Sequence, residues 1–510
     1  MISLFEPGKG LSFAEVRELQ EPSYFRDLNM DQYASFFKEF EVGAELIPYF
    51  YYLPKTKEES GHRQSVMKDL CDHDVRAAVN RFISGIGVAE RYLGYSEIVN
   101  ASVQKWKWRL DTIVQFYSAI DRFCRDLTEN PPKSAPLLKL RDDFTAYLSD
   151  AETVKTRAKA EEISGEFDKM RFHITINKER ATLDFQYSEE DYCSSIRSEF
   201  PRAEGEREET SFTESPFGDI NIAPLEEFIL NQFMKQDRVL FRNLETFCGI
   251  KRDIILPEVS DLIREFRFAL LNLEHFEKLK NNGFPFSFPE IVEDREVNLD
   301  DCFDIVLAAK NLSENKEVVL NDIMKSKEET AILVTGPNQG GKTTLARAFG
   351  QCAYFGMMGF PVPAGVSRLP FVDRIFTQFA STAGNDVEGR LEHELTGVKA
   401  ILDSLTDHSL VIFNELFTSA PTMDALTMSR ALLSTLIEKN AVCFVVTHTF
   451  ELAFDSDRFV SLVATVVEDG SFRRTYRIIR KSADGIAYAN SIVSKYKLDY
   501  SHIFGRIRAR

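Results

Sequence analysis

Gly336-x-x-x-x-Gly341-Lys342-Thr343 follows its second glycine with a cation and then a hydroxyl. Glycines at this spacing let successive backbone N–H groups turn inward around phosphate oxygens, where the positive end of a following helix dipole adds to the attraction. Lys342 would then reach the β- and γ-phosphates, and Thr343 would offer its hydroxyl to Mg²⁺. Gly336, Pro337, Asn338, Gln339, Gly340, Gly341, Lys342, Thr343 and Thr344 are therefore the candidate residues for a nucleoside triphosphate, ATP with Mg²⁺. A second group closes the apolar run Leu410–Phe413 with Asn414-Glu415. Glu415 is the candidate general base or water-orienting group. Asn414 stands where an aspartate is usual; through a bound water it can still contact the metal, with no charge to hold it. Hydrolysis is then slow, or metal affinity leans on Thr343 and the phosphates. The third group is His448, at the end of Val445-Val446-Thr447. Alone it would read as a structural histidine; beside the other two groups it becomes a candidate sensor of the terminal phosphate.

The elements that must position these residues are legible as pattern. The apolar run Ala331–Val334 precedes the glycine-rich loop, and Leu345-Ala-Arg-Ala-Phe349 continues it with helical character. Further strand candidates are Arg374–Phe379, Leu410–Phe413 and Ala441–Val446, each separated by helical stretches, which predicts an α/β arrangement. Phe459–Glu468 and Phe472–Ile479 around Asp469-Gly470 predict a hairpin at a sheet edge. Upstream the period is helical: His62–Ile86 and Lys105–Leu127 carry apolar stripes, the second ended by Asn130-Pro131-Pro132. Phe37-Lys38-Glu39 has the form of a mismatch-sensing wedge, but its helical surroundings make it an ordinary packed helix. Around the turn Asn177–Arg180, alternating residues predict a β-hairpin, and the acidic stretch Ser188–Pro216 predicts a mobile loop. Leu225–Cys248 and Pro257–Asn281 predict a helical arm and its return.

The expected domains are an N-terminal arm (1–30), a first helical core (31–159), a small β insertion or reduced clamp (160–221), a helical lever and return helix (222–295), an α/β nucleotide domain (296–500) and a basic tail (501–510). The fold class is thus α plus α/β and multidomain. A net charge of −17 argues against a protein that coats nucleic acid with a general positive field. Seven scattered cysteines without a C-x-x-C indicate neither a zinc site nor a disulfide framework and fit a reduced, cytoplasmic protein. The N-terminus lacks the look of a signal peptide, and no apolar run approaches membrane-spanning length.

Thr335-Gly-Pro-Asn-Gln-Gly-Gly-Lys-Thr-Thr344 closely resembles the nucleotide loop of the MutS family, whose Gly-Pro-Asn opening is not general among such loops. Pro361–Ala364, Asp373–Thr377, Leu410–Glu415 and Thr447–Leu452 resemble that family in the same order, over about residues 295–497. The helices of 55–150 and 225–292 resemble its core and lever more weakly. The resemblance implies an ABC-type ATPase that dimerises head to tail, each site completed by a segment of the other subunit. That segment would be Asn385–Leu395, with Gly389 in place of the family's serine. Val318 or Val319 would replace the bulky residue that packs on adenine, and Asp424 could line the subunit interface. A mismatch-recognition domain and a nuclease domain are both missing from the pattern. Branched or recombination DNA is the expected ligand rather than mispairs. The alternatives are a switch acting on a protein or ribonucleoprotein such as a stalled ribosome, and a slow or inactive ATP-binding scaffold. Arg473, Arg474, Arg477, Arg480 and Lys481 form a basic cluster that reads first as a solvated face.

Overall fold

The computed structural model describes residues 3–5, 12–40, 42–170, 172–177, 180–185, 224–249, 253–379, 387–467, 474–482, 498, 500 and 503–504. The expected acidic loop of 188–216, the turn at Asp469-Gly470, Arg473 and the tail 505–510 lie outside them. The chain forms two compact units that interleave in sequence: 73–132 with 138–263, and 2–72 with 133–137 and 264–510. Among the described residues no helix is long and apolar enough to cross a membrane.

The described helices of a full two turns or more are α1 (Lys57–Leu70), α2 (His73–Ile98), α3 (Ser102–Glu129), α4 (Ala135–Ser149), α5 (Ala151–Asp168), α6 (Pro224–Gln236), α7 (Arg238–Cys248), α8 (Pro257–Lys280), α9 (Ile305–Ser313), α10 (Lys342–Met357), α11 (Val387–Ser404) and α12 (Thr422–Glu438). The stripe read across His62–Ile86 is broken between α1 and α2 by Cys71-Asp72. The arm read across Leu225–Cys248 is broken at Asp237, whose carboxylate accepts the Leu240 N–H at 3.0 Å and so caps α7.

In the first unit α2 and α3 lie side by side. A Cβ on Gly85 would come within 2.8 Å of Ala119 Cβ, so only glycine permits this approach. Phe82 and Phe123 stack at 4.4 Å across the same pair. Leu110, Ile113, Ile163, Leu240 and Leu244 form a second core joining α3, α5 and α7. The predicted hairpin is present as β1 (Phe172–Asn177) and β2 (Arg180–Phe185), antiparallel with Phe172 opposite Phe185.

The second unit holds two sheets. The larger contains β6 (Ala331–Thr335), β8 (Arg374–Phe379), β9 (Ser409–Asn414), β10 (Val442–Val446), β11 (Phe459–Val466) and β12 (Arg474–Arg480), in the order β12-β11-β6-β10-β9-β8. All pairs are parallel except β11 with β12. Every residue of β6, β9 and β10 is buried, which is why these strands read as unbroken apolar runs rather than as alternation. The smaller sheet was not foreseen. It contains β3 (Glu290–Val292), β4 (Val297–Cys302), β5 (Asn321–Lys325) and β7 (Val366–Pro370), in the order β3-β7-β4-β5.

Short helices Phe13–Arg17 and Tyr24–Asp27 occur in the N-terminal residues. Asp27 and Leu28 accept hydrogen bonds through their carbonyls from Arg347 Nε and Gln351 Nε2 of α10, each at 2.9 Å. Tyr33 is fully buried, 5.0 Å from the Phe355 ring. Phe37 lies on a 3₁₀ turn, Phe36–Glu39, 2% exposed and edge-on to Phe50 at 4.9 Å. That burial rules out a wedge.

Candidate functional site

The loop between β6 and α10 owes its shape to residues with left-handed backbones. Gly336 has φ 124°, Gln339 φ 59° and Gly341 φ 93°. At Gly336 glycine is required twice, because a Cβ there would also sit 2.9 Å from Ala464 Cβ and 3.0 Å from Ala464 N in β11. α10 starts directly after Gly341, so the N–H groups of its first turn open toward the loop. Lys342 is 4% exposed and donates from Nζ to the carbonyls of Gly336 and Pro337, both at 3.0 Å. Burial pushes its pKa down, opposed by Glu415. The Thr343 hydroxyl donates to Asn414 Oδ1 at 3.1 Å.

Parallel register brings the other two groups to the same edge. Val446 pairs with Val334 on one side and Asn414 on the other. Beyond the strands, Thr447 N–H donates to Val334 O at 3.0 Å and Glu415 N–H to Val446 O at 2.9 Å. Glu415 Oε1 then lies 2.9 Å from His448 Nε2 and 3.9 Å from Lys342 Nζ. An ionised carboxylate only accepts, so Nε2 carries the hydrogen in this contact. That hydrogen bond, helped by the charges of His448 and Lys342 and opposed by burial, holds Glu415 below the usual carboxylate range.

These groups border a cavity of about 510 Å³. Gln339, Gly340, Gly341, Lys342, Thr343, Thr344 and Glu415 line it. Gly336 and Pro337 instead contact the Lys342 ammonium, while Asn338 O accepts from Arg474 Nε at 2.8 Å. His448 and Asn414 reach the site through Glu415 and Thr343. Another part of the wall comes from Phe303 and Asp304 just before α9, Leu307 within it, and Val318 and Val319 after it. Asp304 caps α9, accepting from the N–H groups of Val306 at 3.0 Å and Leu307 at 3.2 Å, and also accepts from Gln351 Nε2 at 3.0 Å. Asn311 Nδ2 donates to Glu317 O at 3.0 Å and fixes the return of the chain to Val318. Asn321 ties β12 to this wall, donating to Tyr476 O at 3.1 Å and accepting from Ile478 N–H at 2.7 Å. Of this wall only Val318 and Val319 were expected. An aspartate before an apolar helical run could have flagged Asp304 as a cap, whereas nothing local flagged Tyr476.

Other candidates fall differently. Gly389 is exposed on α11, and residues 380–386 before it lie outside the described ones. Asp424 is exposed in the first turn of α12. In the basic cluster Arg480 pairs with Glu329 and Arg474 with the loop carbonyl of Asn338.

A buried parallel strand, a glycine-rich loop turned by left-handed residues and a helix starting at its lysine define one class: the α/β domains whose site lies at a strand–loop–helix junction. Residues 332–495 match the family model described as MutS domain V. MutS family members are ATPases that use ATP and Mg²⁺, bind DNA and work as dimers.

Proposed function

We propose that the chain is an ATP-dependent, DNA-binding MutS-like ATPase that dimerises through its ABC-type nucleotide domain, acting on branched or recombination DNA rather than on mispairs. The observation that carries it is the cavity, whose lining combines the polar groups of Lys342, Thr343 and Glu415 with the apolar side chains of Leu307, Val318 and Val319. A triphosphate joined to a base has the same polarity, and the volume falls in the range of roughly 300–1,000 Å³ usual for such ligands.

Gly336–Thr344 would hold the phosphates, with Lys342 exchanging the carbonyls of Gly336 and Pro337 for phosphate oxygens, which are charged and stronger acceptors. Thr343, and Asn414 through a water, would hold Mg²⁺, whose chemistry is to neutralise charge developing on the phosphates. Glu415 would orient or activate the attacking water, and His448 would report the state of the terminal phosphate. Because Asn414 is uncharged, turnover is expected to be slow.

Steady-state hydrolysis by wild type, Glu415→Gln and Asn414→Asp tests the enzyme. Wild type should exceed Glu415→Gln by on the order of a hundredfold, the usual share of a general base. Equal turnover would leave only an ATP-binding scaffold. Filter binding to duplex, branched and single-stranded DNA, with and without ATP and across salt, tests the ligand. No affinity at low salt would remove the DNA clamp and favour a protein or ribonucleoprotein target, with which the net charge of −17 also agrees.

A further inference from the structure

Glu394 lies on α11 with only 8% of its surface exposed, and its Oε2 accepts the Phe417 N–H at 2.8 Å. Phe417 is two residues beyond Glu415. Both residues adopt left-handed backbones, φ 58° and 60°, although neither is glycine. Such a turn persists only where its surroundings over-determine it. Here it is held at both ends: Glu415 N–H donates to Val446 O at 2.9 Å, and Phe417 N–H to the Glu394 carboxylate. Glu394 is itself fixed against the sheet. Gln378 Nε2 of β8 donates to its carbonyl at 2.9 Å, and one turn on, a Cβ at Gly397 would come within 2.9 Å of Gln378 Oε1. Burying a carboxylate is costly, and packing alone would be served better by an apolar side chain. What the carboxylate adds is an acceptor for one backbone N–H beside the candidate base.

We propose that Glu394 is a positioning residue that sets the turn Glu415–Phe417, and so the direction of the Glu415 carboxylate, making α11 and Glu415 move together. The proposal rests on the reading of Glu415 as the base of an ATPase. It gives α11, the helix that continues the segment expected to face a second subunit, a direct connection to the chemistry of its own site.

The test measures hydrolysis, nucleotide affinity by a fluorescent ATP analogue and thermal melting for wild type, Glu415→Gln, Glu394→Ala and Glu394→Gln. Glu394→Ala removes the acceptor, and kcat should fall on the order of ten- to a hundredfold, as displaced catalytic groups do, while affinity stays within about twofold. Glu394→Gln keeps an oxygen that accepts the Phe417 N–H, so turnover should return to near the wild-type rate. Wild-type turnover in Glu394→Ala, alongside a dead Glu415→Gln, would overturn the positioning role and leave the ATPase reading intact. Loss of affinity and melting temperature together with kcat, with no recovery in Glu394→Gln, would make Glu394 a plain structural residue and overturn it as well. Equal turnover in wild type and Glu415→Gln would instead remove the ATPase reading, and the proposal with it.

Discussion

Glu415 shares one carboxylate oxygen between His448 at 2.9 Å and Lys342 at 3.9 Å, and its protonation follows from that placement. With its folded-state pKa held down chiefly by the His448 hydrogen bond, it remains ionised below the pH at which an ordinary carboxylate takes up its proton. The stability contributed by this ionised group is complete above its unfolded-state pKa and is lost as pH falls through the lower folded-state value. A base must be ionised to act, so the acid limb of kcat/KM for ATP should lie below the usual carboxylate range. His448→Ala removes the largest cause and should move that limb to higher pH. An acid limb unchanged in His448→Ala would mean that another group titrates there. The types of these residues and their order along the chain were legible from sequence. Their distances were not, because they depend on the register of three parallel strands.

At the scale of elements, helix α1 approaches the turn after α10, and a glycine in each has the opposite role. Gly359 has φ 81°, and a Cβ there would sit 2.5 Å from Arg63 Cβ and 2.6 Å from the backbone N of Gln64. Backbone cannot give way as a side-chain tip can. Gly359→Ala should destabilise by about 2–3 kcal/mol, the sum of a left-handed Cβ and overpacking. Gly61, on the exposed side of the same helix, has nothing within 4 Å of its missing Cβ. Gly61→Ala should stabilise by up to about 1 kcal/mol through helix propensity. Urea midpoints at constant slope read both signs, and matching signs would refute this packing of α1. Helix α1 was legible as a helix but not as a neighbour of α10. Its apolar stripe says that one face is covered, not by what.

At the scale of the molecule, the chain forms two compact units that exchange chain more than once. Residues 12–40 and 42–51, expected as an arm and the opening of the helical core, pack within the α/β unit through Asp27, Leu28 and Tyr33. In that unit Leu395, Met423 and Phe454 are 42%, 70% and 61% exposed. Light scattering on Glu415→Gln should give twice the chain mass with ATP and Mg²⁺ and a lower mass once the nucleotide is dialysed away. A monomer in both states would contradict a site shared between subunits.

By itself the sequence determined the strand–loop–helix junction at Gly336–Thr344. Its geometry depends on contiguous residues: a run fit for burial, glycines where the backbone turns left-handed and a helix that starts at once. It determined the buried strands β6, β9 and β10 for the same reason. Tertiary structure alone decided the smaller sheet, whose short strands β4 and β5 mix polar with apolar residues and in which β7 inserts between β3 and β4. It also decided the cavity wall from Phe303 to Val319 and the hydrogen bond from Phe417 to Glu394. Those contacts join residues tens of positions apart, and a carboxylate on a helix looks the same in sequence whether it faces water or a buried N–H.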